Sequence, residues 1–388
     1  MQLDFHYYAT YCAAFLAGYS HEESLRICYS AQFPDNCTRT FLAGVRAPIS
    51  AATTQTAVEM ADANTDPVGL QDITRIWASF HFLPYDLNAD VKKGGKRYKN
   101  KYRLICNPNG ELLKETVNLV RGKSLEAVGM AMHILADTWA HRYFAGTPSV
   151  VINNTNSYFY EVLEENGEWT ERPVVFKHTP GENIEKCSYI NSLDSDSEIS
   201  VMNLGHGRAG HLPDYSFIRY KFVPAWNDNE FIYKDNPEDY YHAFCQMIYA
   251  MTYLRSGKGT FETGVYDTVA ISPYEEEIHQ IIEKRQLDAC ADWKAFGEKL
   301  SGQEIPDFNV DFFRCEYENA SGEKKDDTGL GRFILAALSQ KSMVTNRIYR
   351  SGSLLAGYSM EYDGRNVGIK DYLKLLVHRR NRKRGEDK

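Results

Sequence analysis

Three ionisable residues are spaced four apart in one apolar segment, residues 132–141: His133, Asp137 and His141. If this segment is helical, each step of four residues exceeds one turn by about 40°, so the three side chains share one face. Ionisable groups among Ala, Met, Leu and Ile are costly to bury unless they share a counter-charge. A divalent cation supplies that charge, and histidine nitrogen with aspartate oxygen is an ordinary zinc ligand set. The spacing therefore predicts a metal site; a hydrogen-bonded core network is the alternative.

Candidate ligands also occur in three stretches before this segment. His6 follows Asp4 near the amino terminus, and helical periodicity places it beside small residues that leave room for an ion. Asp35 lies at the expected end of a helix, and His81 stands among aromatic residues. Each has an ordinary structural alternative: a solvated histidine, a turn or capping aspartate, and a buried imidazole bonded to the backbone.

A Gly-rich loop further along the chain carries His206, Arg208, His211 and Asp214. Glycine lets the backbone approach a ligand closely, so metal or substrate binding is as well supported here as a structural role. The forked donors of the Arg208 guanidinium suit a non-bridging phosphate oxygen. A solvated surface arginine is the alternative for that residue.

The elements that must position these residues are predicted to be mostly helical. Apolar periodicity indicates helix over residues 3–34, with a second helix that starts at Ser20, where Glu23 completes a capping box. Ser124 begins the clearest helix of the chain, which we expect over residues 125–144. Further helices are predicted over residues 50–66, 68–82, 237–256, 273–300, 328–350 and 368–379.

Two segments depart from the helical pattern. Residues 87–120 contain a turn sequence at 107–110, which indicates a hairpin insertion. Residues 147–200 alternate short β-prone runs with Asn, Gly, Pro and Ser, which predicts an irregular insertion with a small sheet or hairpins. We therefore expect a metal-binding helical domain over residues 1–260 that holds both insertions. A helical C-terminal extension of unassigned role is expected over residues 261–388.

The composition sets broad limits on function. A net charge of -8 argues against a stable complex with nucleic acid. There is no run of 18 apolar residues and no visible secretory signal, so no transmembrane helix and a cytoplasmic location are expected. The eight cysteines form no C-x-x-C pair, which indicates neither a thiolate zinc site nor a disulfide framework. Basic segments at 92–103 and 378–384 are expected to be solvated, although the first is a candidate for steering a phosphate.

Taken in chain order, the candidate ligands resemble those of zinc-dependent phospholipase C and the related single-strand nucleases. That family uses an N-terminal group, a His, an Asp, a His before Phe, an H-x-x-x-D motif, another His, and a last His with a nearby carboxylate. The matching residues are His6, Asp35, His81 before Phe82, His133 with Asp137, His141, and either His206 or His211 with Asp214. The opening residues also resemble an uncharacterised bacterial family related to these hydrolases. The resemblance covers about residues 1–250 and is most specific at 128–141.

The resemblance implies a multi-helix phospholipase C-like bundle with two or three zinc ions, or other divalent metals. It implies hydrolysis of a phosphate ester or phosphodiester, in a small molecule, a nucleotide or a phospholipid, by metal-activated water. Asp35 would bridge ions or orient the water. The alternative is a non-catalytic binding or structural protein with a closed metal site. The sequence does not indicate an oligomeric state.

Two departures from the family pattern bear on the number of metals. Family members bind one ion through the amino group of a mature N-terminal tryptophan, whereas this chain has Asp4 or the Met1 amine to take that part. The interval from Asp137 to His141 is also shorter than in the family. One metal would be lost if neither Asp4 nor Met1 replaces the tryptophan.

Overall fold

The computed structural model describes residues 1–63, 67–89, 102–147, 158–165, 167–177, 181–191, 206–224, 226–227 and 230–352. These residues are mostly α-helical with a small sheet, which confirms the predicted mostly-α class. Several predictions of the sequence fall outside them: the basic segment from 92 to 101, the helix at 368–379, and the basic tail at 378–384.

The first half of the chain is built from short and medium helices. A π-helix over Asp4–Ala9 leads into α1, and a capping box at Ser20 and Glu23 starts α2, as predicted. The π-helix is a rare element that is frequent at functional sites. The bounds of the helices are α1 Thr10–Leu16, α2 His21–Gln32, α3 Arg39–Gly44, α4 Ala57–Ala63, α5 Pro67–Phe80, α6 Glu111–Leu119 and α7 Leu125–Ala140.

The second half adds a short helix and five longer ones. The bounds are α8 His206–Ala209, α9 Asn236–Ser256, α10 Glu275–Glu283, α11 Cys290–Ser301, α12 Asp311–Asn319 and α13 Gly329–Arg350. Asp235 caps α9 by accepting from the Glu238 backbone, and Pro237 lies in its first turn, where its missing N–H costs nothing. Single 3-10 turns lie at Phe33–Asp35, Ile49–Ala51, Ile184–Lys186, Leu212–Asp214 and Ser272–Tyr274, and a longer one at Gly322–Asp327.

Helix α7 carries the H-x-x-x-D motif through the centre of the core. The Ser124 side chain accepts from the Ala127 backbone, so the helix starts where the sequence predicts. It ends at Ala140, earlier than the predicted 144, with His141 as its C-cap. All but its first residue are buried. Helix α2 packs along it so closely that a β-carbon added at Gly129 would lie 2.2 Å from the carbonyl oxygen of Ile27.

Residues on both sides of position 260 lie in one hydrophobic cluster. The ring of Phe5 packs edge-on against Tyr240 and Trp293, at centroid distances of 4.9 Å and 6.1 Å. Burial of such aromatic side chains stabilises the folded chain by about 1.5–3 kcal/mol each. The helices after residue 260 therefore pack directly onto the helices that carry the candidate ligands, and the division into two domains stays a prediction.

Two small sheets accompany the helices. The bounds of the strands are β1 Tyr160–Glu165, β2 Glu168–Pro173, β3 Val175–Lys177, β4 Ser188–Ile190, β5 Arg219–Phe222 and β6 Ile232–Asp235. The larger sheet has four antiparallel strands in the order β2-β1-β5-β6, and in the smaller sheet β3 pairs with β4 in parallel. Strands β1 to β4 lie within the predicted insertion at 147–200, while β5 and β6 follow it in the chain.

The hairpin predicted within residues 87–120 is wrong for the part that the structure describes. Gly110 is the N-cap of α6, so the run expected as a second strand is a helix. Its apolar residues, Leu112, Leu113 and Val117, are buried at helical spacing. A short apolar run cannot be assigned to strand or helix by periodicity alone, and here the tertiary packing decides.

The sequence predicts neither a transmembrane helix nor a disulfide framework. None of the helices in the described part of the chain combines the length and apolar character needed to cross a membrane. All eight cysteines are free thiols, and six of them are buried. Buried thiols of this kind behave as small hydrophobic side chains.

Candidate metal centre

The carboxylate of Asp137 lies at the centre of the candidate site. It is 1% exposed on α7, and its two oxygens face different sets of groups. Oδ1 lies 2.8 Å from the Met1 amino nitrogen and 3.1 Å from His6 Nε2. Oδ2 lies 3.1 Å from His81 Nδ1 and 3.2 Å from His133 Nε2. A carboxylate with this arrangement can bridge two cations.

Four ligand atoms form two overlapping groups of three. His81 Nδ1, His133 Nε2 and Asp137 Oδ2 are 3.1 to 3.2 Å apart. Asp35 Oδ1 lies 3.8 Å from the His81 nitrogen and 4.0 Å from the His133 nitrogen. Zinc bonds of about 2.0–2.1 Å imply about 3.3 Å between neighbouring ligand atoms. Each group of three therefore has a spacing close to that of ligand atoms around one divalent ion.

Asp35 forms the solvent-facing side of this set. It ends the 3-10 turn that follows α2, and its side chain is 32% exposed while those of His81, His133 and Asp137 are at most 4% exposed. Gln32 donates from Nε2 to Asp35 Oδ2 at 3.1 Å, which turns the other oxygen towards the histidines. Asp35 is thus the most exposed side chain of this set.

A separate set of ligand atoms surrounds Asp214, which lies in a 3-10 turn after the short helix α8. Its Oδ1 is 3.4 Å from His141 Nε2 and 3.3 Å from His206 Nε2. The Met1 amino nitrogen lies 3.2 Å from the same oxygen. Three groups in the described chain can therefore hold a metal ion: His6, His133 and Asp137; Asp35, His81 and His133; and His141, His206 and Asp214.

Three of the histidines have one ring nitrogen fixed by a backbone carbonyl. His81 Nε2 donates to the Thr53 oxygen at 3.0 Å, His133 Nδ1 to the Ala31 oxygen at 2.8 Å, and His141 Nδ1 to the His81 oxygen at 2.7 Å. A carbonyl only accepts, so these nitrogens carry the proton. A neutral ring then turns the lone pair of its other nitrogen towards the carboxylates. Metal-binding histidines are typically held in this way.

This proton assignment brings two lone pairs together when both rings are neutral. His81 Nδ1 and His133 Nε2 are 3.2 Å apart, so they repel unless one ring gains a proton or a cation lies between them. Burial lowers the pKa of His133, but Asp137 and Asp35 outweigh that effect and raise the pKa above its usual value. Burial lowers the pKa of His141 to about 4 and the pKa of His6 well below its usual value. These two rings are neutral at pH 7. Neutral rings leave ring-nitrogen lone pairs beside the carboxylates, and a divalent ion would bind both kinds of group.

The amino group of Met1 is buried among carboxylates. Burial by itself lowers its pKa, but Asp137, Asp214 and Asp35 outweigh that effect and raise the pKa to about 11. For Asp137, burial raises the pKa, while His141 and the Met1 amine hold it well below the usual range. The amine is therefore an ammonium here, and it would bind a metal only after losing a proton.

Two of the predicted ligands lie outside the three groups. Asp4 accepts from the Phe5 backbone at 2.7 Å and from the Ala289 backbone at 3.2 Å, and burial raises its pKa to about 6. His211 is 52% exposed and lies 3.3 Å from Asp214 Oδ2, the oxygen that faces away from His141 and His206. Of the two histidines that the sequence left open, the structure brings His206 into the group.

Arg208 is the remaining residue that the sequence singled out. It lies two residues after His206 on the short helix α8 and is partly buried. Its backbone oxygen accepts from Asn191 Nδ2 at 3.4 Å. Its proposed contact with a phosphate stays a prediction.

Sequence reasoning missed the groups that orient the ligands. Gln32 and the carbonyls of Ala31 and Thr53 hold Asp35, His133 and His81 in place, and backbone carbonyls leave no signal in residue type. One signal was available: a glycine in the middle of α7. Gly129 precedes His133 by one turn, and the close helix contact that it allows brings the His133 ring to the Ala31 carbonyl.

Comparison with known proteins gives a family without an assigned function. Neither the curated proteins nor the solved structures include a match to this chain. The model of the family of unknown function DUF6765 matches residues 1–348, a span that contains every candidate ligand. The chain therefore belongs to the DUF6765 family.

Proposed function

We propose that this chain is a metal-dependent hydrolase that cleaves a phosphate ester or phosphodiester. The observation that carries the proposal is the position of Asp137, whose Oδ1 faces His6 Nε2 while its Oδ2 faces His81 Nδ1 and His133 Nε2. A bridging carboxylate is what a site with neighbouring divalent ions requires. We also propose that the helices around α7 form a bundle of the phospholipase C type, since α7 supplies two ligands and helices on several sides supply the others.

Zinc is the ion that the donor set favours. The groups combine imidazole nitrogens with single carboxylate oxygens, whereas Mg²⁺ and Ca²⁺ prefer oxygen ligands throughout. Bound zinc lowers the pKa of its water to about 7, and two ions about 3.5–4 Å apart stabilise the attacking and leaving oxygens at phosphorus. We expect two or three ions per chain.

The residues of the chain would then divide the remaining work. Asp35 is partly exposed and holds one oxygen towards the site, which suits a group that accepts a hydrogen bond from an attacking water. Arg208, close to His206 in sequence, is our candidate for binding a non-bridging phosphate oxygen. Small-molecule and lipid phosphoesters both fit this chemistry, while the negative net charge disfavours long nucleic acid.

A closed structural metal site is the second candidate function. The observation that favours it is burial, because His6, His133 and Asp137 are at most 1% exposed. A structural zinc is bound by four protein ligands and leaves no position for water. The 32% exposure of the Asp35 side chain favours the hydrolase, since this candidate ligand is in contact with solvent.

Hydrolysis of simple phosphoesters tests the proposal. The protein loaded with zinc would be assayed on bis-p-nitrophenyl phosphate and p-nitrophenyl phosphate, beside His133→Ala and the control His279→Ala. His279 stacks on Tyr241 and is distant in sequence from every candidate ligand. Among the described residues it shares none of the contacts of those ligands. We expect activity that is lost in His133→Ala and kept in His279→Ala. A chain that binds zinc tightly and cleaves neither ester would support the structural site instead.

A further inference from the structure

Helix α13 lies in the part of the chain to which the sequence assigns no role, and it carries a buried lysine. Lys341 is 7% exposed. Its Nζ donates to the backbone oxygens of Ser50 and Ala52 at 2.7 Å and 2.5 Å. Burial of a lysine is costly, so a position of this kind needs compensating contacts. The two carbonyls are the contacts that the structure provides.

The segment that Lys341 holds leads directly to the candidate metal centre. Thr53 follows Ala52, and its carbonyl accepts the Nε2–H of His81 at 3.0 Å. The Thr53 hydroxyl donates to the Pro34 oxygen at 2.7 Å, and its backbone N–H donates to the Cys37 oxygen at 2.9 Å. Thr53 thus connects the ring of His81 with the turn that carries Asp35.

A neighbouring residue on α13, Gln340, contacts the backbone just before His81. Gln340 donates from Nε2 to the Ser79 oxygen at 3.2 Å, two residues before His81. The same nitrogen donates to Thr116 Oγ1 at 3.0 Å. Consecutive residues of α13 therefore contact the backbone that leads into His81 and the loop that faces its ring.

We propose that Lys341 is a positioning residue of the metal centre, which acts through Ala52 and Thr53 on the ring of His81. The proposal rests on the metal site proposed above. If the Thr53 carbonyl moves, His81 is no longer held with Nε2 protonated and Nδ1 towards the carboxylates. Groups that orient a metal-bound histidine typically change metal affinity about 10-fold to 100-fold when removed. Because Lys341 is one step further away, we expect about 3-fold to 10-fold.

A purely structural role for Lys341 makes a different prediction. Its amine also lies 5.7 Å from the centre of the Phe80 ring, so a methionine could fill the space by packing alone. Replacement of a buried polar contact by a well-packed apolar side chain is often neutral for stability. In that case Lys341→Met would leave metal affinity unchanged. The two roles are therefore separated by metal binding and not by folding.

The test compares Lys341→Met with Lys341→Arg and with Val344→Ala in the full chain. Val344 is fully buried on the same helix, so its truncation weakens the packing of α13 without removing a hydrogen bond. Zinc affinity would be measured by competition with a chromophoric chelator. The visible spectrum of the cobalt(II)-loaded protein reports ligand geometry and is the readout that general destabilisation does not move.

We expect Lys341→Met to bind zinc about 3-fold to 10-fold more weakly and to have an altered cobalt spectrum. Lys341→Arg, which keeps donors for the carbonyls, should recover part of the affinity, and Val344→Ala should retain both properties. Unchanged affinity and spectrum in Lys341→Met, or an equal loss in Val344→Ala, would overturn the inference. A wild-type chain that binds no metal would instead overturn the proposed function. If Lys341→Met does not fold, Lys341→Leu, which also lacks donors, takes its place with the same outcomes.

Discussion

His81 Nδ1 and His133 Nε2 lie 3.2 Å apart, and the opposite nitrogen of each ring donates to a backbone carbonyl. Two neutral imidazoles in this arrangement direct lone pairs at each other, a repulsion that a proton on one ring or a cation between them relieves. Asp137 Oδ2 lies beside both nitrogens and supplies the negative charge that would bind such a cation. This relationship is the basis of the metal site proposed here.

The two histidines near Asp214 give a matched pair of variants. His206→Ala removes a nitrogen that faces Asp214 Oδ1, whereas His211→Ala removes a nitrogen that faces Asp214 Oδ2. We expect His206→Ala to lose about one metal equivalent per chain and His211→Ala to keep it, with at most a modest loss of affinity. Elemental analysis of both proteins checks this. Equal losses in the two variants would show that His211 is also a ligand.

Gly129 tests the close contact between α2 and α7. A β-carbon at this position would lie 2.2 Å from the Ile27 oxygen, so Gly129→Ala must push the helices apart. We expect the free energy of unfolding to fall by about 1–3 kcal/mol, which is the usual cost of overpacking. Metal affinity should also fall, because the His133 ring moves away from the Ala31 carbonyl.

Gly322→Ala is the control for this variant. Its added carbon meets no atom within 4 Å, and the residue does not have the left-handed backbone conformation. Urea unfolding and zinc titration of both variants provide the measurement. A Gly129→Ala protein as stable and as tightly metal-bound as Gly322→Ala would show that the helix contact does not position His133.

The buried amine of Met1 predicts sensitivity to extension of the chain at this end. Two residues added before Met1 would replace an ammonium between Asp137 and Asp214 by an amide. We expect lower metal content, because an amide nitrogen cannot replace the free amine as a ligand. We also expect a less stable metal-free protein, because loss of one partner of a buried ion pair typically costs about 3–5 kcal/mol. The same two residues at the other terminus are the control, and intact mass defines each protein. Unchanged metal content and stability would exclude a role for this amine.

Lys341 predicts a pH dependence of stability. Burial, aided by the nearby Arg75, lowers its pKa to about 7, while the unfolded chain has the ordinary value of 10.5. Between these values the unfolded state binds a proton that the folded state does not, so stability rises with pH and is flat below about 7. The other groups that affect this pKa are Asp72, Cys37 and Arg39.

The size of this stability change follows from the difference between the pKa values of Lys341 in the folded and the unfolded chain. From pH 7 to 9.5, wild type should gain at most about 3 kcal/mol relative to Lys341→Met. Urea unfolding at the two pH values measures this difference, with the exposed Lys324→Met as control. A parallel pH response in wild type and Lys341→Met would mean that the amine is ionised throughout.

The sequence predicted where two of the helices begin, because helix capping depends on residues within one turn. The capping box at Ser20 and Glu23 and the N-cap at Ser124 are confirmed, because a cap is decided by a side chain and the backbone within one turn. The spacing of His133, Asp137 and His141 also predicted that these side chains lie close together, since helical periodicity fixes which residues share a face. Their role as metal ligands stays a prediction. The end of α7 and the helix α6 depended on tertiary packing and were missed.

The rest of the site depends on contacts that residue type does not encode. The choice of His206 over His211 follows from the path of a Gly-rich loop, which sequence periodicity does not describe. The support that Lys341 gives to the Ser50 and Ala52 carbonyls joins segments far apart in the chain. The identity of a long-range backbone acceptor has no local sequence signal, so α13 was assigned no role.

Metal content per chain is the measurement that tests the central claim most directly. The protein would be purified without chelator and without a metal-binding affinity tag, and analysed beside His133→Ala. The proposed site predicts two to three equivalents of zinc or another divalent metal in the wild type, with a clear loss in the variant. A wild-type chain that contains no metal and takes up none on titration would contradict it, and the buried histidines and aspartates would then be a hydrogen-bonded core network.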